Sequence, residues 1–163
     1  MSDQTQTQTL REQLWGSFKN RAMIYWEVYR VLEREYGAGQ AEKLMKEALY
    51  NRGCAIGERF KAFAPADIDG LRQAFLEFIP DQGRVFEPEV LACDAGRLEI
   101  QLHRCPLKEA WHEAGLTDGQ VESMCRIAGV VDNGTFEGAG FGFRAETWAP
   151  GRAGCCHLFI HKK

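Results

Sequence analysis

Arg97-Leu98-Glu99-Ile100-Gln101-Leu102-His103 alternates without a break. Leu98, Ile100 and Leu102 share one face, and Arg97, Glu99, Gln101 and His103 share the other. A period of two predicts a half-buried β-strand. Everything before Arg84 keeps a different rhythm. From Leu10 to Tyr36 the residues Leu14, Phe18, Ala22, Tyr25, Tyr29 and Leu32 recur three or four apart, which predicts a helix ended by Gly37 and Gly39. A second helix is predicted from about Gln40 to Phe63, through Ala41, Leu44, Met45, Ala48, Leu49 and Ile56, and closed by Pro65. Gly53 and Gly57 lie four apart on it, a spacing that points to close backbone approach. Ala66 to Ile79 fits a third helix, with Ile68, Leu71, Phe75, Phe78 and Ile79 inward. Pro80-Asp81-Gln82-Gly83 then spells a turn.

Beyond Arg84 the strand rhythm dominates. Arg84–Cys93 and Arg97–His103 read as a hairpin about Asp94-Ala95-Gly96. Pro106–Ala114 is a short helix with proline at its first turn. Thr117-Asp118-Gly119-Gln120 has the form of a capping box and opens a helix through about Ala128. A glycine-rich stretch, Gly134–Gly142, leads into a strand at Phe143–Trp148. After the turn Ala149-Pro150-Gly151, Cys155–His161 is the last strand. The expected class is α+β: three N-terminal helices packed on an antiparallel sheet of about four strands, with two short helices inserted between the strand pairs.

The chain has 163 residues, 45% hydrophobic and 26% charged, which fits a single domain and excludes collagen-like or disordered classes. Residues 1–9, which include a Gln/Thr run, are expected to be disordered. A net charge of −3 removes the electrostatic case for a nucleic-acid partner. Apolar runs are too short for a membrane partner. MSDQTQTQTL lacks the apolar core of a signal peptide, so a cytoplasmic location is expected. In that compartment Cys54, Cys93, Cys105, Cys125, Cys155 and Cys156 are expected as free thiols. The first helix carries Trp15, Tyr25, Trp26 and Tyr29 on more than one face, more than one core contact needs, which points to a homodimer.

Three segments bear chemistry. Cys105 precedes Pro106 at a helix start, where unpaired N–H groups and the dipole favour thiolate. Cys125 lies on the next helix, and Asp132 follows its end. A thiol and a carboxylate placed there can share a pocket, although Asp132-Asn133-Gly134 also spells an ordinary turn. On the last strand, alternation turns Cys156 inward with Leu158 and Ile160, and Cys155 outward with His157 and Phe159. No zinc-binding spacing occurs: His157 and His161 share a face but lie ~13 Å apart on a strand. Neither a metal nor a cofactor is expected, since phosphate loops and dinucleotide fingerprints are absent from the sequence.

Cys105-Pro106 through Trp111 to Gly115, Cys125 with Asp132, and Gly151 to Ile160 around Cys155-Cys156-His157-Leu158-Phe159-Ile160 together resemble the L-2-amino-thiazoline-4-carboxylic acid hydrolase family. Tyr25-Trp26-Glu27 through Gly53 resembles that family's leading helices. Gly151-Arg152 stands where many relatives carry Gly-Asp, and the doubled cysteine leaves two matching positions, of which alternation favours Cys156.

The resemblance implies hydrolysis of a small-molecule substrate at the amidine-like carbon of a 2-amino-thiazoline ring. The placement of these segments makes Cys125 and Asp132 the expected catalytic pair, with Cys105, the second candidate nucleophile, and Cys156 lining the same pocket. Trp111, Phe143, Trp148 and Cys155 would line the substrate. Two alternatives stay open. The same fold group includes the 4-vinyl-reductase domain, a small-molecule-binding or sensing module, and Phe136 and Phe141 add aromatics to such a pocket. Two thiols and a carboxylate also suit thiol-based metal or organometal chemistry.

Overall fold

The structure, a computed structural model, describes residues 3–163. The 3.6-residue rhythm of the first half yields α1 (Asp3–Tyr36), α2 (Ala38–Gly57) and α3 (Ile68–Phe78). A 3-10 segment, Glu58–Phe63, extends α2. Residues 4–9, expected to be disordered, instead form the exposed first turns of α1. Side-chain bonds one turn apart support them: Gln8 Nε2 donates to Glu12 (2.9 Å) and Thr9 Oγ1 to the Thr5 carbonyl (3.0 Å). The turn Asp81–Gly83 has three consecutive residues at positive φ, and Arg11 of α1 holds Asp81 at 2.9 Å.

The second half supplies β1 (Pro88–Cys93), β2 (Arg97–Leu102), β3 (Gly142–Glu146) and β4 (His157–His161). They form an antiparallel sheet in the order β1-β2-β4-β3. Leu98, Ile100, Leu158 and Ile160 are all buried, so the alternation from Arg97 to His103 faces the core as expected. β1 is shorter than its apolar run. Val85 is buried, but the chain turns through Glu87 at φ +47° before pairing begins. Leu91 is an extra residue against β2, because Val90 faces Ile100 and Ala92 faces Glu99.

Between the strand pairs lie α4 (Pro106–Glu113), α5 (Asp118–Ala128) and a third helix that the glycines disguised, α6 (Val130–Ala139). The capping box closes as expected, with Thr117 and Gln120 satisfying each other's N–H groups. Gly129 keeps helical φ/ψ (−61°, −18°), so the chain bends from α5 into α6 with no extended residue between them. α6 lies along α2 at backbone contact. A Cβ on Gly53 would meet the Val131 carbonyl and come within 2.9 Å of Gly134 Cα. One on Gly134 would meet the Tyr50 carbonyl. Gly53 therefore faces Gly134, Gly57 lies against the backbone at Thr135 and Ala139, and Gly138 lies against Cys54, so the close approach expected of α2 has α6 as its object.

Two apolar cores result. One joins α3, α6 and the inner face of the sheet around Phe60, Phe75 and Phe136. The other joins α1, α2, α4 and α5 around Met45, Trp111 and Met124. The aromatics of α1 are satisfied within this chain. Tyr29 is buried, Trp26 stacks on it at 5.9 Å, and Arg104 lies 4.4 Å over Trp15. Besides Leu10 and Tyr36 towards its ends, α1 leaves an aliphatic stripe exposed: Ile24, Val28 and Val31.

Candidate active site

Cys105 occupies the N-cap of α4 with extended backbone (φ −149°, ψ 114°). Its side chain packs against both cores. The N–H groups of Leu107 and Lys108 pull its pKa down without closing a cap hydrogen bond. They do not prevail. The neighbouring Cys155 thiol, then burial, push Cys105 well above the ordinary thiol value. The thiolate expected from the helix N-terminus is thus overridden by a residue far along the chain.

Cys155 and Cys156 precede β4 and continue its pairing with β2. The Cys155 N–H donates to the Leu102 carbonyl (2.9 Å), and the Leu102 N–H to that of Cys156 (2.8 Å). Cys156 points inward as alternation required. Cys155, expected outward, is buried too, because it lies outside the strand after Gly154, whose φ of +73° turns the chain. The two sulfurs are 3.4 Å apart. The Cys105 thiol favours ionisation of Cys155, but Cys156 and burial outweigh it, and Cys155 is raised. Cys156 receives the same help from Cys155 and is also raised, by burial and by the charges of Cys105, Asp132 and Cys125.

Cys125 is buried on α5, and burial pushes it to about 12. Cys105 and Glu122 add to that push, whereas the Lys108 ammonium opposes it. All four thiols are therefore neutral at physiological pH.

Asp132 sits on the first turn of α6, not in a turn after a helix end. Burial alone pushes its carboxyl from 3.8 to about 7. It is packed deep among protein atoms and yet keeps some accessible surface. No hydrogen bond to its carboxylate occurs among the described residues. Its charge acts on Cys156; those acting on Cys125 are Cys105, Lys108 and Glu122.

Four cysteines from three segments, with Asp132 from a fourth, thus share one electrostatic neighbourhood at the seam between the cores. The aromatics behave differently. Trp111 is fully buried and donates its indole N–H to the Ala22 carbonyl at 2.8 Å, which ties α4 to α1. Phe143 stacks on Phe136 at 5.1 Å. Trp148 is 7% exposed, meets His112 edge-on and donates to the Arg152 carbonyl at 3.1 Å. Sequence reading missed Lys108, one turn beyond Cys105, whose Nζ reaches the Gly154 carbonyl at 2.6 Å.

His157 and His103 stand apart from the thiols. His157 Nε2 is 2.7 Å from Glu99 Oε1, off the line that a hydrogen bond needs, and His103 meets Glu89 at 2.7 Å. Two open clefts of about 280 and 500 Å³ lie elsewhere, beside Asp67–Asp69 with Cys93–Ala95 and beside Leu76–Gln82. Neither touches the thiol cluster. Among the described residues no three His, Cys, Asp or Glu side chains are arranged to hold a metal. Nor, among them, is any helix long and apolar enough to cross a membrane.

Residues 17–159 match the family described as L-2-amino-thiazoline-4-carboxylic acid hydrolase. The chain belongs to that family. The matched span holds all four thiols of the cluster, Asp132 and Lys108, so the whole of this neighbourhood lies inside the part matched to the L-2-amino-thiazoline-4-carboxylic acid hydrolase family. At the family level the chain is a hydrolase. No curated protein matches it.

Proposed function

We propose that this chain hydrolyses a ring C–N bond of a cyclic amidine, with a 2-amino-thiazoline-4-carboxylate as substrate and Asp132 as the acid–base group. The observation that carries the reading is a carboxyl moved by burial to about 7, with no protein hydrogen bond among the described residues, beside a cluster of thiols. A protonated amidine is flat and cationic, with two N–H groups on one edge, and a carboxylate accepts both. Its binding replaces the solvation that burial removed from Asp132. Near neutrality such a carboxyl is poised to take a proton and return it.

The reaction balances with water alone. Water adds to the carbon flanked by two nitrogens and sulfur, and Asp132 takes its proton. The ring C–N bond then breaks, and Asp132 protonates the departing nitrogen, which leaves as an amine. The product is a carbamoyl thioester of cysteine. Neutral thiols attack poorly. A thiol route therefore requires Asp132 to deprotonate Cys125 or Cys156 as attack occurs, and water then to hydrolyse the enzyme-bound adduct, which frees the thiol and releases the same product. Cys105 and Cys155 complete the lining.

The test is hydrolysis of 2-amino-thiazoline-4-carboxylate, followed by amine release. Asp132→Asn is expected to lose roughly 10²–10⁴ in kcat with its circular dichroism unchanged. A comparable loss in Cys125→Ser or Cys156→Ser identifies an attacking thiol, whereas small losses in both identify water. Full activity in Asp132→Asn overturns the assignment. Tight binding with no turnover by the parent protein points instead to the binding-module alternative.

Six free thiols agree with a reducing cytoplasmic setting. The assembly we propose is a homodimer through the outer face of α1. Crossing two copies antiparallel about Val28 brings Ile24, Val28 and Val31 together and sets Arg21 of each opposite Glu35 of the other. The three aliphatic residues and Glu35 are exposed in one chain.

A further inference from the structure

Two half-buried charges flank the thiol cluster, and neither has an opposite charge as partner among the described residues. Asp132 is one. Lys108 is the other: it forms no ion pair among the described residues, whereas its neighbour Glu109 is paired with Arg104 at 2.8 Å. The Lys108 ammonium is held where it is by the Gly154 carbonyl at 2.6 Å, immediately before Cys155, and by the Trp148 ring, whose centre is 5.7 Å from Nζ. One of its three N–H donors is committed to Gly154, which leaves two. Its stem rises from α4 one turn beyond Cys105.

The two charges do not neutralise one another. Burial is the sole influence on Asp132, with no contribution from Lys108. Each instead acts on a different thiol: Lys108 on Cys125, Asp132 on Cys156. Burying the Asp132 carboxyl without a partner is costly, and a ligand that brings it a positive charge removes that cost, while the two donors left on Lys108 are open to an anion. The ligand so described is a zwitterion, positive near Asp132 and negative near Lys108.

We infer that Lys108 is the specificity-determining residue of this site, receiving a carboxylate carried by the same small molecule whose cationic amidine meets Asp132. The inference rests on the reading in the preceding subsection and adds to it a requirement for an anionic group on the substrate. An amidine without that group leaves the ammonium unanswered and is discriminated against.

The test compares two probes, 2-amino-thiazoline-4-carboxylate and 2-amino-2-thiazoline, which lacks the carboxylate. For each, kcat and KM are measured in the parent protein, in Lys108→Met and in Lys108→Arg. The parent is expected to favour the carboxylate probe in kcat/KM. Lys108→Met should shrink that preference at least about tenfold, mainly through KM, and Lys108→Arg should keep most of it. A parent that turns over both probes equally overturns the inference while leaving the hydrolase reading intact. The inference is also overturned if Lys108→Met loses both probes in equal proportion, as a merely structural residue would. Should Lys108→Met fail to fold, retained preference in Lys108→Arg supports the inference and lost preference overturns it. A parent that turns over neither probe removes the hydrolase reading, and the inference falls with it.

Discussion

Asp132 makes the stability of this protein a function of pH. Its carboxyl titrates near 7 in the folded chain and near 3.8 when free, because burial disfavours the charge. Between those values the folded chain keeps a proton that the unfolded chain has released. Stability from this group is therefore fullest below about pH 4, falls as pH rises to about 7, and then levels off. The span corresponds to about 4 kcal/mol at most, less whatever remaining solvent contact relieves. Asp132→Asn cannot ionise, so its advantage over the parent should grow across that window. Urea unfolding at about pH 5 and about pH 8 measures it. A difference that stays constant with pH would show that Asp132 is not buried as described. The neutral thiols carry the complementary lesson. Their upward shifts come from one another and from burial, so a helix N-terminus read from Cys105-Pro106 alone gives the wrong sign.

The elements that sequence shows best are those whose pattern is their own. The alternation from Arg97 to His103 is self-contained, and so is the capping box at Thr117. α6 is not. Asp132-Asn133-Gly134 spells a turn locally, and the reason it is helical lies about eighty residues upstream, where Gly53 leaves room for Gly134 and Gly57 for the backbone at Thr135 and Ala139. Four glycines in two helices cost about 1 kcal/mol each in propensity. Backbone contact between the helices offsets that cost, and it holds Asp132 beside the thiols. The legible hint was the matched four-residue spacing in both segments. Gly134→Ala should therefore cost roughly 1–3 kcal/mol or more and reduce turnover by displacing α6. Gly16→Ala makes the contrast. Nothing lies within 4 Å of a Cβ at that exposed position in α1, and the change should stabilise by about 0.5–1 kcal/mol. Denaturant unfolding of both variants separates the two cases. Equal effects would mean that the α2–α6 contact is looser than described.

At the scale of the molecule, α1 dominates the outline. Its 34 residues span roughly 51 Å, with the Ile24, Val28 and Val31 stripe outward. Two such helices crossing along much of their length approach the ~1,200 Å² that a specific interface buries. Val28→Lys sets a like charge on the crossing point. The parent is expected to sediment as a dimer at micromolar concentration and this variant as a monomer with unchanged circular dichroism. A monomeric parent rules the assembly out. The aromatics of α1 pointed to assembly in the sequence, but the residues that bear on it are aliphatic. Which of two apolar stripes a helix turns outward depends on partners in α2 and α4, and α1's own sequence does not name them.

The bulge at Leu91 has a consequence beyond register. An open sheet ends in two rims of unpaired amides, and each rim can template the strand of another molecule. Here β1 begins at a proline with no N–H to offer, and its extra residue breaks the repeat that an incoming strand would copy. β3, the opposite rim, is five residues long and carries Arg144 and Glu146. Neither border presents a long, flat, uncharged run. Both rims thus work against the strand-to-strand docking from which fibrils grow.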